Sequence, residues 1–228
     1  MPNDANQLAL PRDESTEEAM GATAPARRTR LGQSAITSID AKSILTPSSG
    51  FISAYDYTRN PYSGCTFGCS YCYAAFFVRD REERNDWGRW VKVKENALAL
   101  LQKRRRKPLV NKTIYMSSVT DPYQPIERDH RITREVLEVL DRASHPVGIV
   151  TKSAGVVRDI DILARMAERD LVKVAISVTS LDRRIARSME PRAATPPKRI
   201  DAIRQLTSAG IPVAVMVAPI IPALTDSE

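Results

Sequence analysis

From residue 113 onward the chain repeats one pattern: a short apolar run with a polar end, followed by a stretch of helical periodicity. The runs are 113–119 (TIYMSSV), 146–153 (PVGIVTKS), 172–180 (VKVAISVTS) and 211–219 (IPVAVMVAP). Strands that are apolar throughout need cover on both faces, and strands separated by helices pair in parallel. The intervening stretches supply that cover. Ile132, Val136, Leu137, Val139 and Leu140 fall on one broad helical face, and Val157, Ile160, Leu163, Ala164 and Ala167 on another. A third helix over 196–208 turns Ile200, Ile203 and Leu206 inward, with Gly210 as its C-terminal stop. A shorter strand near 52–57 completes five βα-type repeats. The class is α/β with a parallel sheet. Periodicity leaves a barrel, a partial barrel and a flatter doubly wound sheet open. Polar residues gather at the carboxyl ends of the strands, where both barrels and open sheets place ligands.

Residues 1–48 read as a disordered or extended leader rich in Ser, Thr, Ala, Pro and charge, with 34–47 as an extended strap. Residues 49–228 form the core domain. Apolar residues make up 43% and charged residues 27%, ordinary values for a soluble globular chain. No apolar run approaches the roughly 20 residues of a membrane-spanning helix, and the N-terminus lacks the layout of a secretion signal. The expected location is the cytoplasm, with no membrane partner. The net charge of +7 is uneven: 79–107 hold eleven basic and five acidic residues. Such a stretch attracts nucleic acid or another anion, or serves as a solvated helix face. The second reading is favoured, because aromatic residues are sparse there.

All three cysteines lie within 60–73 (NPYSGCTFGCSYCY), in the order C-x3-C-x2-C. An odd, clustered set is a poor disulfide framework. Spacings of two and three residues let several thiolates converge on one centre, and Gly64 and Gly68 permit the tight turns this requires. Thiolates are the usual ligands of iron–sulfur clusters, which most often take four. Three ligands for four irons leave one iron open to a substrate or cofactor. A structural zinc site is the competing reading, but a closed one wants a fourth protein ligand. His130 and His145 are distant in sequence and read as structural or exposed. Inert buried thiols are the remaining alternative.

The C-x3-C-x2-C loop with its trailing aromatic residue resembles the signature of the radical S-adenosylmethionine (radical SAM) superfamily. More narrowly, 60–74 is similar to the subgroup related to spore photoproduct lyase and its uncharacterised bacterial relatives. Segments 117–127 (SSVTDPYQPIE), 150–153 (VTKS) and 190–226 are similar to the same subgroup. The resemblance implies a partial, incomplete TIM-like βα barrel with about five βα units present. It also implies a lyase-like enzyme in which Cys65, Cys69 and Cys72 hold three irons of a [4Fe–4S] cluster. S-adenosyl-L-methionine would chelate the fourth. Reductive cleavage would then give a 5′-deoxyadenosyl radical that abstracts hydrogen from a substrate the sequence does not name, with nucleic acid as one class. A reductant protein such as flavodoxin or ferredoxin is implied as partner. Tyr73 would sit near the adenine, and Ser117, Ser118, Thr120 and Asp121 near the methionine amine, although the common Gly-Gly-Glu form is absent there. Lys152, Ser153, Ser177 and Arg192 are candidates for the cofactor's carboxylate or ribose. The superfamily core has six βα units, so the chain reads as truncated at its C-terminal side, and weak activity is expected of it alone. The alternatives are a metal- or iron–sulfur-binding module and an inactive fragment.

Overall fold

The computed structural model describes residues 28–103 and 112–226. Residues 1–27 of the expected leader (1–48) and the basic residues 104–107 lie outside the described residues. In chain order the strands are β1 (Arg30–Leu31), β2 (Ser34–Ile39), β3 (Thr46–Pro47), β4 (Tyr57–Arg59), β5 (Tyr62–Ser63), β6 (Trp90–Lys94), β7 (Ile114–Met116), β8 (Val147–Thr151), β9 (Val172–Ser177) and β10 (Val213–Met216). The α-helices are α1 (Arg81–Asn85), α2 (Ala97–Lys103), α3 (Glu127–His130), α4 (Ile132–Arg142), α5 (Ile160–Ala167), α6 (Arg183–Met189) and α7 (Pro196–Ser208).

The main sheet has the order β10-β9-β8-β7-β4-β3. Every pair from β10 to β4 is parallel, and β3 closes that edge antiparallel to β4. Sequential strands sit side by side, as one-directional winding of βα units requires. The sheet is open, so the architecture is α/β with an incomplete barrel of five parallel strands. Ile114, Met116, Val174 and Ile176 are fully enclosed, and Val136, Leu137, Ile162, Leu163 and Met166 press onto the sheet from α4 and α5. The face expected of α4 is the buried one. On α5 the burial centres on Ile162, Leu163 and Met166, with Val157, Ile160, Ala164 and Ala167 at its margin.

Two local expectations are corrected, and the extended leader is seen to be paired. The first strand of the main sheet is β4 at 57–59, not 52–57. Residues Gly50–Ile52 form a 3₁₀ turn, Tyr55 N–H closes a further turn onto Ile52 O at 3.1 Å, and parallel pairing begins at Tyr57↔Ile114. The inward face of α7 is Pro196, Arg199, Ala202 and Leu206, because Arg199 turns into the protein toward a buried carboxylate. Within the leader, the described part is extended and paired. β2 runs parallel to β6 (Ala35↔Trp90 to Ile39↔Lys94) in a second, small sheet of order β1-β2-β6-β5. That sheet stands against the segment carrying the cysteines.

The described part of the basic stretch, 79–103, is divided among α1, β6 and α2. Within it Lys92 pairs with Glu83 at 2.5 Å, and Lys94 donates to Asn60 O at 2.8 Å. Among the described residues, no helix is long and apolar enough to cross a membrane.

Candidate cofactor site

The cysteine loop leaves β5 and is clamped from three sides. Gly64 has φ +79°, and a Cβ there would stand 2.5 Å from the Trp90 ring and 2.8 Å from Trp90 O, so glycine is required. From the loop after β7, Thr120 Oγ1 donates to Gly64 O at 2.6 Å, and Thr66 N–H donates to Gln124 Oε1 at 2.9 Å. From the loop after α6, Arg192 donates to Thr66 O and, at 2.5 Å, to Gly88 O, and its guanidinium packs against Gly68 (φ +59°), where a Cβ would collide with it. Ser70 N–H donates to Met189 O at 2.9 Å.

Behind the loop, Tyr71 hydroxyl donates to Glu190, which also accepts from Thr179 Oγ1 at 2.9 Å and from Arg199. Glu190 and Arg199 are both buried. Burial raises the Glu190 carboxyl pKa, but the hydrogen bond and charge of Arg199 outweigh it and hold it below the ordinary glutamate value.

Cys65, Cys69 and Cys72 are free thiols lining one cavity of about 340 Å³. Tyr73, Ser117, Ser118, Thr120, Asp121, Lys152 and Ser177 line the same cavity. Lys152 Nζ donates to Ser177 Oγ at 3.0 Å and stands 5.6 Å from the Tyr71 ring, between β8 and β9. Ser117 has φ +73°, a strained backbone for a serine, and its buried hydroxyl has no hydrogen-bond partner among the described residues. Half-exposed Tyr73 donates to Ser118 O at the cavity mouth. Asp121 is occupied: it accepts from Thr151 Oγ1 at 2.7 Å, Lys152 N–H at 2.8 Å and Tyr123 N–H at 2.9 Å, tying the ends of β7 and β8 together. Burial raises its pKa against those bonds.

Two expected site residues are placed elsewhere. Ser153 accepts from Gly155 N–H at 3.0 Å and caps the 3₁₀ turn Ala154–Asp159, while Arg192 is spent on backbone carbonyls; both line a different cavity. Neither His130 nor His145 lines the cysteine cavity. Sequence reasoning missed Tyr71, Gln124, Glu190 and Arg199, which hold the loop; of the four, Tyr71 also lines its cavity. The acidic residue of 190–192 (EPR) was the available signal.

Among the described residues, no group of three or more His, Cys, Asp or Glu side chains could hold a metal ion. Three free thiols lining one cavity are the donor type that iron–sulfur clusters take. The electrostatics of the cavity oppose thiolate formation. Burial drives the Cys65 thiol pKa well up, aided by Asp121 and the neighbouring thiols. Burial pushes Cys69 up to about 12 against the pull of Lys152, and it raises Cys72. Three thiols that resist ionisation together become good ligands only when cationic metal lies between them.

The sequence profile of the Radical SAM superfamily matches residues 60–228. An uncharacterised protein of Methanocaldococcus jannaschii is 35% identical over 193 residues, covering 85% of this chain and 70% of that one. An uncharacterised protein of Mycobacterium tuberculosis is 34% identical over 176 residues, covering 76% of this chain and 52% of that one. Among solved structures, spore photoproduct lyase complexed with dinucleoside spore photoproduct superposes with a TM-score of 0.61 at 18% identity, over 82% of this chain and 52% of that one. At that identity the likeness is one of fold. This chain therefore spans about half the length of the mycobacterial relative and of the lyase.

Proposed function

The chain belongs to the radical SAM superfamily of enzymes, and on that premise we propose that Cys65, Cys69 and Cys72 hold a [4Fe–4S] cluster with S-adenosylmethionine beside it. The observation that carries this reading is the convergence of three free thiols and the Lys152–Ser177 pair on one cavity. When bound, the cluster supplies the electron that splits S-adenosylmethionine into methionine and a 5′-deoxyadenosyl radical, the hydrogen-abstracting species.

The chain's own residues orient and protect that chemistry. Lys152 Nζ, a cation backed by Ser177 Oγ, faces the cavity as the partner for the cofactor's carboxylate. The unpartnered Ser117 hydroxyl, with Ser118 and Thr120 at the same strand end, is placed for the amine. Asp121 acts by fixing that strand end and does not itself bind. Tyr73 covers the mouth and excludes water. Ser153 and Arg192 are assigned support of the loop and its neighbours instead of cofactor contact.

The proposed substrate is nucleic-acid-derived. This is supported by the dinucleoside bound in the structural neighbour and by three exposed aromatic side chains, Tyr73, Phe76 and Phe77, on the 3₁₀ turn that follows Cys72. A small electron-transfer protein such as flavodoxin or ferredoxin is the proposed reductant, and the cytoplasm the proposed location.

Anaerobic reconstitution with iron and sulfide tests the reading. The wild type is expected to turn brown, bind about four irons and release 5′-deoxyadenosine after reduction with dithionite. Replacement of any one cysteine by alanine abolishes that release. A colourless protein holding one zinc, or a cysteine variant that still cleaves the cofactor, would refute it.

A further inference from the structure

A second cavity, of about 660 Å³, opens behind the cysteine loop, between the segments that follow β7, β8 and α6. Phe67 lines both cavities. It packs with Cys65, Cys69 and Ala193 in one small apolar cluster, so a single layer of side chains separates this surface from two of the three thiols.

The surface is cationic. Arg128, Arg158, Arg187, Arg192 and Lys198 line it, against one carboxylate, Glu127. Glu127 is saturated by Tyr62 hydroxyl, Thr133 N–H at 3.1 Å and Arg158 Nη2 at 2.8 Å, and Arg158 is further neutralised by Asp159 at 2.7 Å. Among the described residues, Arg187 and Arg192 reach only backbone carbonyls. Arg128 and Lys198 have no carboxylate partner among the described residues. The acids of the adjoining elements are turned elsewhere. Asp129 lies 3.7 Å from Arg28, Asp161 pairs with Arg134 at 2.7 Å, Asp182 caps α6, and Glu190 faces Arg199. The N-terminal end of α7, carrying Thr195 and Lys198, adds its positive dipole to the same place.

We propose that this basic face is the docking site for an acidic one-electron donor protein; the proposal rests on the reading of the three cysteines as cluster ligands. The donor's reduced flavin or iron–sulfur centre gives up one electron through the Phe67 wall, and the group between the thiols gains it, with no bond made or broken. Nucleic acid is the less fitting occupant. The aromatic residues of this cavity, Phe67 and Tyr123, are buried and offer no stacking platform, whereas exposed Phe76 and Phe77 are not among its lining residues.

The test uses the reconstituted chain, a bacterial flavodoxin as probe, and the variant Arg128→Glu/Lys198→Glu, with Arg128→Ala/Lys198→Ala as the milder form should the first fail to fold. Calorimetry at low salt is expected to show flavodoxin affinity falling by about tenfold or more, with a flatter salt dependence. Flavodoxin-driven release of 5′-deoxyadenosine should fall in step, while dithionite-driven release is unchanged. Unaltered flavodoxin affinity in a folded variant overturns the proposal. So does a variant that loses affinity for duplex DNA while keeping flavodoxin. If dithionite releases no 5′-deoxyadenosine from the wild type, the proposed function fails, and calorimetry still decides the docking site on its own.

Discussion

Replacing Glu190 by alanine asks how strongly the cysteine loop is held from behind. Glu190 and Arg199 are each 2% exposed, and the carboxylate accepts from Arg199, from Tyr71 hydroxyl and from Thr179 Oγ1. Without it, the Arg199 guanidinium stays buried with only Ser177 O at 2.8 Å and Ala194 O at 2.7 Å, while Tyr71 loses its anchor. Removing one member of a buried ion pair costs about 3–5 kcal/mol because the other charge is stranded. A whole domain is stable by only about 5–15 kcal/mol. At about 2–4 °C per kcal/mol for a chain of this size, the thermal midpoint of the metal-free protein should fall by roughly 10 °C, followed by circular dichroism. Glu190→Gln/Arg199→Met removes both charges and keeps an acceptor for Tyr71, so it should recover at least half of that loss. The pH dependence has a definite sign. The folded carboxyl pKa lies below its unfolded value, so this stabilisation is fully present above about pH 4.3 and is lost as the pH falls through the folded pKa. The wild type should therefore lose stability in acid more steeply than the double variant. A Glu190→Ala midpoint within about 3 °C of wild type, under 2 kcal/mol on the same scale, would refute the reasoning.

Gly64→Ala combines a positive φ with a Cβ driven into Trp90, and should cost more than about 2 kcal/mol in urea denaturation. Arg59 is fully buried, its guanidinium has no partner among the described residues, and burial alone pulls its pKa down to about 9. Its folded pKa is below the unfolded one, so the buried charge opposes folding at neutral pH and the penalty is relieved only as the pH rises past about 9. Arg59→Met should raise stability at pH 7 by at least about 1 kcal/mol by the same assay; a loss would mean that an anion pairs with Arg59. Lys152→Ala should weaken S-adenosylmethionine binding by about tenfold or more while leaving iron content unchanged, as equilibrium binding and metal analysis would show.

The parts of the fold legible in the sequence were those governed by short-range pattern. β7, β8, β9 and β10 announce themselves because they are apolar across both faces, and α4 because its apolar residues recur at helical spacing. The α7 face was misread because periodicity counts apolar residues, and Arg199 is a charged residue whose reason for turning inward, Glu190, is supplied by the tertiary fold. β2 was missed as a strand because it has few apolar residues and pairs with β6 more than 50 positions away (Ala35↔Trp90), beyond the reach of local pattern. At the site, cysteine spacing led to the expectation of thiolates converging on one centre, and the three thiols do line one cavity. Proximity to a strand end was not enough to foresee direction. Lys152 and Ser153 are neighbours, yet Lys152 lines the thiol cavity while Ser153 turns away to cap the 3₁₀ turn Ala154–Asp159 and lines a different cavity.

Electron paramagnetic resonance of the anaerobically reconstituted, dithionite-reduced protein, recorded with and without S-adenosylmethionine, bears most directly on the role given to Cys65, Cys69 and Cys72. The expected result is a reduced iron–sulfur signal that requires all three thiols and changes shape when S-adenosylmethionine is added. An iron–sulfur signal indifferent to S-adenosylmethionine, or a wild-type chain that takes up no iron and sulfide at all, would contradict it.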